Sequence, residues 1–311
     1  MVGDHSFCRE VSTVRFKTLA AVDIGSNAAR FLVSDVTNFS PETPIKKSAY
    51  LRIPMRLGAD VFQYGAISEQ RQTIFLETMC ALSHLMRAYG VDGYRICATS
   101  AMRDAANGEE LLDRVKRESG LSVEIISGIE EANILFEANV FSRYLNAAAR
   151  ALYVDVGGGS TEVIAINDGN RMESCSFQIG TVRMLLNAVT AEEQQRLRTE
   201  VQRMGKTWQP KHIIASGGNI NKVAKLLDKR EGQATDASEI QALYKALQAL
   251  QVEERMQRYG LNAYRADVIV PALSIFMGIA DLCGAKQFII PKIGLADGII
   301  RHMCLTAQKF A

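Results

Sequence analysis

The sequence predicts an α/β protein of two related halves, each organised around a mixed sheet. Three observations carry that reading. A strand, a small-residue turn and a second apolar strand occur twice, over residues 21–33 and 153–165, with Asp23 matching Asp155 and Gly25 matching Gly157. Two such units with matching flanks read as duplicated hairpins. Strand-like and helix-like periods alternate along the rest of the chain, the pattern of mixed α/β sheets. Finally, 311 residues correspond to about two domains at roughly 150 residues each.

Taken in order, the elements follow from spacing and caps. Residues 1–16 show no period and are predicted to be a loose arm. Residues 17–129 together with 300–311 are expected to form the first domain, and residues 130–299 the second. Ser68 is placed to cap a helix running to about Tyr89, with Ile74, Phe75, Met79, Leu82, Leu85 and Met86 on one face and Gly90 as the stop. Tyr94 to Ala98 reads as a strand. Asn107 caps a second helix, with Glu110 at its third position and Gly120 ending it. Val123 to Ile126 is a further strand, and a helix starts at Ser127 and runs through Leu145. In the second half, Lys211 to Ala215 and Gln287 to Ile290 read as short strands. Asp228 to Asp236 is the most polar stretch and is expected to be a surface loop.

Composition excludes several classes. A hydrophobic fraction of 48% is far from that of a disordered chain, and no apolar run approaches the roughly 20 residues needed to span a bilayer. Thr18 to Val22 is too short for a signal peptide, and Asp23 interrupts it. Six cysteines (Cys8, Cys80, Cys97, Cys175, Cys283, Cys304) form no Cys-x-x-Cys pair and read as free thiols in a reducing cytoplasm. The four histidines lack metal-ligand spacing. A net charge of +2 provides no global attraction to nucleic acid or to a membrane surface, so an anionic ligand must be held by local arrangement.

The local arrangements are glycine turns at strand ends. In Asp23-Ile24-Gly25-Ser26-Asn27 and Asp155-Val156-Gly157-Gly158-Gly159-Ser160-Thr161, bare backbone N–H groups converge where a phosphate can approach. Ser26, Asn27, Ser160 and Thr161 add side-chain donors. A carboxylate beside a phosphate repels it, so Asp23 and Asp155 make sense with a divalent cation, Mg²⁺, between them and the ligand. One glycine turn can simply close a hairpin; a duplicated pair facing a common cleft points to binding. A third turn, Ser216-Gly217-Gly218-Asn219, precedes a helix carrying Lys222 and forms an anion site of the helix-N-terminus type.

Ser127 and Glu130 fit a capping box, which leaves Glu131 without a structural task in the first helical turn. Glu131 is then either a solvated glutamate or a group that activates water. Arg103, on the loop after the strand ending at Ala98, is the candidate for clamping a phosphate through its planar fork. Arg30, Arg52, Arg56 and Arg183 read as solvated surface arginines.

The set of motifs resembles the exopolyphosphatase / guanosine pentaphosphate phosphohydrolase family, within the sugar kinase–heat-shock–actin ATPase superfamily. It rests on Ala21 to Asn27, Ala98-Thr99-x-x-x-Arg103, Ile126-Ser127-Gly128-x-Glu130-Glu131-Ala132, Val154 to Glu162 and Ala215 to Gly218, in the family's order from about residue 17 to about residue 301. The resemblance implies two ribonuclease-H-like, actin-like domains with an interdomain cleft. It implies cytoplasmic hydrolysis of terminal phosphates from polyphosphate or guanosine pentaphosphate, with Mg²⁺ and with a homodimer as the assembly. It assigns Glu131 as base and Asp155 and Glu162 as the acidic pair at metal and water; Asp23 is a further metal carboxylate on the charge argument above. Ser26, Asn27, Arg103, Gly157, Gly158, Gly159 and Ser160 match its phosphate binders, and Thr161, Ser216, Gly217 and Gly218 join them on the turn chemistry given above. The chain departs from the family pattern at Ala28, usually serine, and at Ala296, usually arginine. Its histidines precede no aspartate, so it resembles the short, two-domain form. A non-catalytic polyphosphate sensor and an ATP-using kinase or ATPase are the competing expectations.

Overall fold

A computed structural model describes residues 16–37, 45–137 and 150–308. The expected arm lies outside these residues save for residue 16, and so does the continuation of the Ser127 helix towards Leu145.

The first half runs β1 (Phe16–Ile24), β2 (Ala28–Thr37), β3 (Lys46–Pro54), α1 (Leu57–Tyr64), α2 (Glu69–Ala88), β4 (Gly93–Ala98), α3 (Ser100–Asp104), α4 (Gly108–Ser119), β5 (Glu124–Ile125) and α5 (Gly128–Glu137). The second runs β6 (Ala151–Val156), β7 (Thr161–Asn167), β8 (Asn170–Phe177), α6 (Thr181–Leu185), α7 (Ala191–Trp208), β9 (His212–Ser216), α8 (Gly218–Leu226), β10 (Ala234–Asp236), α9 (Ala237–Gln248), α10 (Val252–Tyr259), α11 (Ala263–Ala266), α12 (Ile269–Cys283), β11 (Gln287–Ile289) and α13 (Leu295–Gln308).

The sheet orders are β3-β2-β1-β4-β5 and β10-β11-β9-β6-β7-β8. In each, a hairpin strand (β1 or β6) pairs antiparallel with its successor and parallel with a later strand (β4 or β9). The expected pair of ribonuclease-H-like, actin-like halves is therefore the observed fold. β1 from Leu19 onward and β6 lie mid-sheet and are covered on both faces, which is why these stretches read as apolar runs broken only by Asp23 and Asp155.

Among the described residues, three cores hold the molecule. One joins the first sheet to α1, α2 and α4 through Phe31, Leu57, Phe75, Met79 and Leu82. Another joins the second sheet to its helices through Phe177, Phe276 and Phe288. The third lies between the halves: Leu19, Ala21 and Leu32 of the first sheet and Tyr153, Ile164 and Ile214 of the second close on Ile134 and Leu135 of α5 and on Leu295, Ile299 and Ile300 of α13. Each fully buried aliphatic side chain there contributes about 1.5–3 kcal/mol relative to exposure. This inner core fixes which faces of the two hairpins look at each other.

Several local expectations need correction. Ser68 and Asn107 do precede helices, but neither side chain caps: Ser68 Oγ donates to Asp60 Oδ2 at 2.5 Å, and the Asn107 amide bridges the N–H and C=O of Ile67, both at 2.9 Å. Long-range partners took the groups that local geometry offered to the helix ends. Gly120 ends α4 in the left-handed conformation, as expected. The capping box is half made: Glu130 N donates to Ser127 Oγ at 3.1 Å, while the Glu130 carboxylate goes to Arg95 at 2.9 Å. The last three residues of the expected surface loop form β10, antiparallel to β11. Ala263–Cys283 is long and apolar enough to cross a membrane by length and composition, but it carries Arg265, Asp267 and Asp281 and supplies Ile269, Leu273, Phe276 and Ile279 to the second core.

Candidate active site

The two hairpins bring their turns to one cleft of about 1030 Å³. Asp23, Ser26, Asn27, Glu131, Asp155, Gly157, Gly158, Ser160, Gly217 and Gly218, all singled out in the sequence, line it. The turns reach it because their carbonyls are drawn the other way. Ser26 O accepts from Gly58 N at 2.8 Å and Asn27 O from Arg56 N at 3.0 Å, at the start of α1. In the second half, Gly157 O accepts from Thr181 N at 3.0 Å and Gly158 O from Val182 N at 2.8 Å, at the start of α6. A trans peptide points its N–H opposite its C=O, so each anchored carbonyl turns the following amide away from the anchoring helix. The glycines are a steric requirement here. A Cβ on Gly159 would lie 2.3 Å from Ser100 Oγ, and one on Gly158 3.1 Å from Asn27 N, because the two turns pack on each other.

The acidic groups are set by register. Asp155 and Glu162 are directly opposed on β6 and β7 and share the face that looks at the first half. Glu131 joins them from the first turn of α5, on the side carrying Ile134 and Leu135 into the inner core. The three carboxylates have oxygens within 4.8 Å of one another and all are buried. Burial raises the proton affinity of each. Glu162, Asp23 and Asp155 push Glu131 further in the same direction, and Asp155 does so for Glu162. Asp155 is pushed up to about 6 by burial, against the pull of Arg30. Glu131 Oε2 and Glu162 Oε2 are buried without a hydrogen-bond partner. Hard, anionic oxygens with unused lone pairs, clustered where charge is unfavourable, are the donor set that suits Mg²⁺.

Asp23 is not part of this trio. Its Oδ2 lies 2.5 Å from Arg30 Nη1, so the aspartate expected to share the metal is engaged by a cation instead. Other expected donors are also redirected. Thr161 Oγ1 donates to Ile179 O at 2.5 Å, and Ser216 Oγ to Ile293 O at 2.8 Å; both residues are fully buried. Ser26 Oγ pairs with Ser100 Oγ at 2.9 Å and Asn27 Nδ2 donates to Tyr264 O at 3.3 Å. Arg103 Nη1 donates to Ile126 O at 2.6 Å, beside Glu131 and Glu162, whose charged forms it favours.

Sequence reasoning missed part of the site. Arg30 and Arg52, taken as surface arginines, line the cleft with Arg265, which carried no sequence signal. Burial and the mutual repulsion of these guanidinium groups depress Arg52 to about 10 and lower Arg265 as well. Lys47, Lys222, Lys225 and Lys292 extend the same wall. Arg56 and Arg183 are likewise not solvated: Arg56 pairs with Asp267 at 2.7 Å, and Arg183 pairs with Asp104 while almost wholly buried. Ser176 was also missed; its hydroxyl donates to Glu162 Oε1 at 2.9 Å.

Residues 49–307 match the profile of the Ppx/GppA phosphatase family. The chain belongs to that family. Exopolyphosphatase 1 of Mycobacterium tuberculosis is 30% identical over 166 residues, covering 53% of this Ppx/GppA chain and 47% of that protein. The guanosine-5'-triphosphate,3'-diphosphate pyrophosphatase of Aliivibrio fischeri is 26% identical over 302 residues, covering 91% of this chain and 59% of that protein. The matched segments thus cover about half of each of these two relatives. The crystal structure of the Aquifex aeolicus Ppx/GppA family member superimposes with a TM-score of 0.75 at 26% identity, covering 94% of this chain and 99% of that one.

Proposed function

We propose that this chain hydrolyses phosphoanhydrides, releasing the terminal orthophosphate of inorganic polyphosphate. The observation that carries the reading is the buried Glu131–Asp155–Glu162 cluster, of which Glu131 and Asp155 line the same cleft as the glycine turn at Gly157 and Gly158. Phosphoryl transfer needs an oriented water and neutralisation of the transferred group, and these residues supply both. Glu131 takes a proton from the attacking water as its oxygen bonds the terminal phosphorus. The bond from that phosphorus to the bridging oxygen breaks, and the shortened chain leaves. The turn amides and Arg103 hold the transferred oxygens. Asp155 and Glu162 would hold Mg²⁺, which supplies positive charge against the phosphate when bound. Ser176 keeps Glu162 in place through its hydroxyl, and the charge of Arg30 favours the ionised form of Asp155. We assign the protein to the cytoplasm on its free thiols Cys80, Cys97, Cys175, Cys283 and Cys304.

Polyphosphate is favoured over a guanosine nucleotide by the cleft wall. Arginines and lysines, among them Arg52, Arg265, Lys222, Lys225 and Lys292, outnumber the acids Asp228, Glu231 and Asp297 along it, with Tyr50 as the aromatic among the described lining residues. A repeating polyanion matches a cationic wall along its length; a purine needs a stacking slot as well. The test is phosphate release from polyphosphate and guanosine pentaphosphate side by side, with and without Mg²⁺. Release from polyphosphate is expected. Tight polyphosphate binding without release under any divalent cation would replace the hydrolase reading by that of a sensor.

A further inference from the structure

The second glycine turn has one anchor that is not an amide. Thr181 N and Val182 N hold the carbonyls of Gly157 and Gly158, but the next carbonyl, Gly159 O, accepts from the Arg183 side chain, Nε at 2.8 Å. The same guanidinium crosses to the first half. Its Nη2 donates to Asp104 Oδ2 on α3, and its central carbon sits 3.9 Å from the centre of the Phe62 ring on α1. Only a planar fork can donate in two directions and stack at once; a lysine ammonium cannot.

We propose that Arg183 is a positioning residue that aims the Ser160 amide into the cleft and fixes the whole turn against the first half. Holding Gly159 O determines where the N–H of the same peptide points, and that N–H belongs to Ser160, a cleft-lining residue. Asp104 directly follows Arg103, whose guanidinium lies beside Glu131 and Glu162. Arg183 therefore ties the phosphate turn of one half to the arginine-bearing helix of the other. Stability alone does not account for it. A buried ion pair is often matched or bettered by apolar packing, and an aliphatic side chain on Phe62 would serve as glue. What apolar packing lacks is direction at Gly159 O and at Asp104. The assignment rests on the reading that this turn binds the terminal phosphate.

The test compares wild type, Arg183→Met, Arg183→Lys and Asp104→Asn in the full chain, with polyphosphate as substrate. Arg183→Met keeps an apolar stem on Phe62. Its kcat is expected to fall at least about tenfold with KM within about threefold, since small misplacements of a transition-state donor cost up to about 10²-fold. Arg183→Lys and Asp104→Asn should fall between it and wild type. Hydrogen exchange should accelerate in peptides covering 157–161 and 100–104 while the rest of the molecule is unchanged. Unchanged kcat, unchanged exchange in those two segments, or a loss of activity that only mirrors the unfolded fraction overturns the assignment. If wild type itself releases no phosphate, the hydrolase reading falls, and the exchange measurement still decides whether Arg183 holds the turn.

Discussion

Glu162 stands directly across the β6–β7 ladder from Asp155, at the place where the β1–β2 ladder sets Arg30 across from Asp23. One hairpin scaffold thus holds an ion pair in the first half and two carboxylates in the second. The first is self-neutralised; the second has no basic partner across its own ladder.

That difference gives a pH prediction. The carboxylates of the second hairpin bind protons more tightly folded than unfolded, so stability contributed by their protonated forms is lost as pH rises. For Asp155 the window runs from the ordinary value of 3.8 to about 6. In chelator, Tm should fall from pH 4 to pH 8, and excess Mg²⁺ should restore it. Glu162→Gln should flatten the fall in chelator and abolish the Mg²⁺ response. Thermal melts across pH check this, and an Mg²⁺ response preserved in Glu162→Gln would remove Glu162 from the metal site.

Glu131→Gln keeps the shape of the base and loses its proton affinity. Turnover of polyphosphate should drop by about 10²–10⁴-fold, the usual worth of general base catalysis, with substrate binding retained. Phosphate release and calorimetric binding on the same preparation test it; undiminished turnover would exclude Glu131 as base.

Gly128 packs on the residue that orients Glu162. An added Cβ would lie 2.1 Å from Ser176 Oγ and 2.6 Å from Ser176 Cβ. Gly128→Ala should therefore cost about 1–3 kcal/mol by overpacking and also lower kcat. Ser176→Ala should melt close to wild type yet turn over more slowly, because Glu162 loses a donor. Denaturation curves and steady-state rates on both variants separate the two effects.

The crowded guanidinium groups of the cleft wall should trade stability for affinity. Arg52→Gln or Arg265→Gln relieves repulsion in the ligand-free protein, so Tm should rise slightly at neutral pH. KM for long polyphosphate should rise about fivefold or more as one charge-assisted contact is lost. The rise should shrink as salt is added, because screening weakens the exposed part of the attraction.

The hairpins and the residues at their turns were legible because glycine runs and strand-end aspartates are local signals. At Glu131 the helix-start pattern alone left a solvated glutamate and a water-activating group both open, and the family resemblance was what favoured the second. What sequence could not show was facing. Arg30 and Arg52 sit on neighbouring strands, and only their pairing across β2 and β3 puts both on the cleft side. Arg265 arrives from α11, remote in sequence from every motif. The donors Thr161 and Ser216 were misread for the opposite reason: they have the right chemistry at the right turn, but nearer carbonyls claim their single protons.

The anchored carbonyls of the two turns have a practical consequence for mutagenesis. The donors they orient belong to the main chain, so an alanine scan passes over them in silence. Replacing a side chain at Ser160 leaves its N–H in place. Deleting the donor itself calls for an amide-to-ester exchange by semisynthesis. Drift in the side chains of these turns is thus buffered, whereas a shift of α1 or α6 by a fraction of an ångström would detune every amide at once.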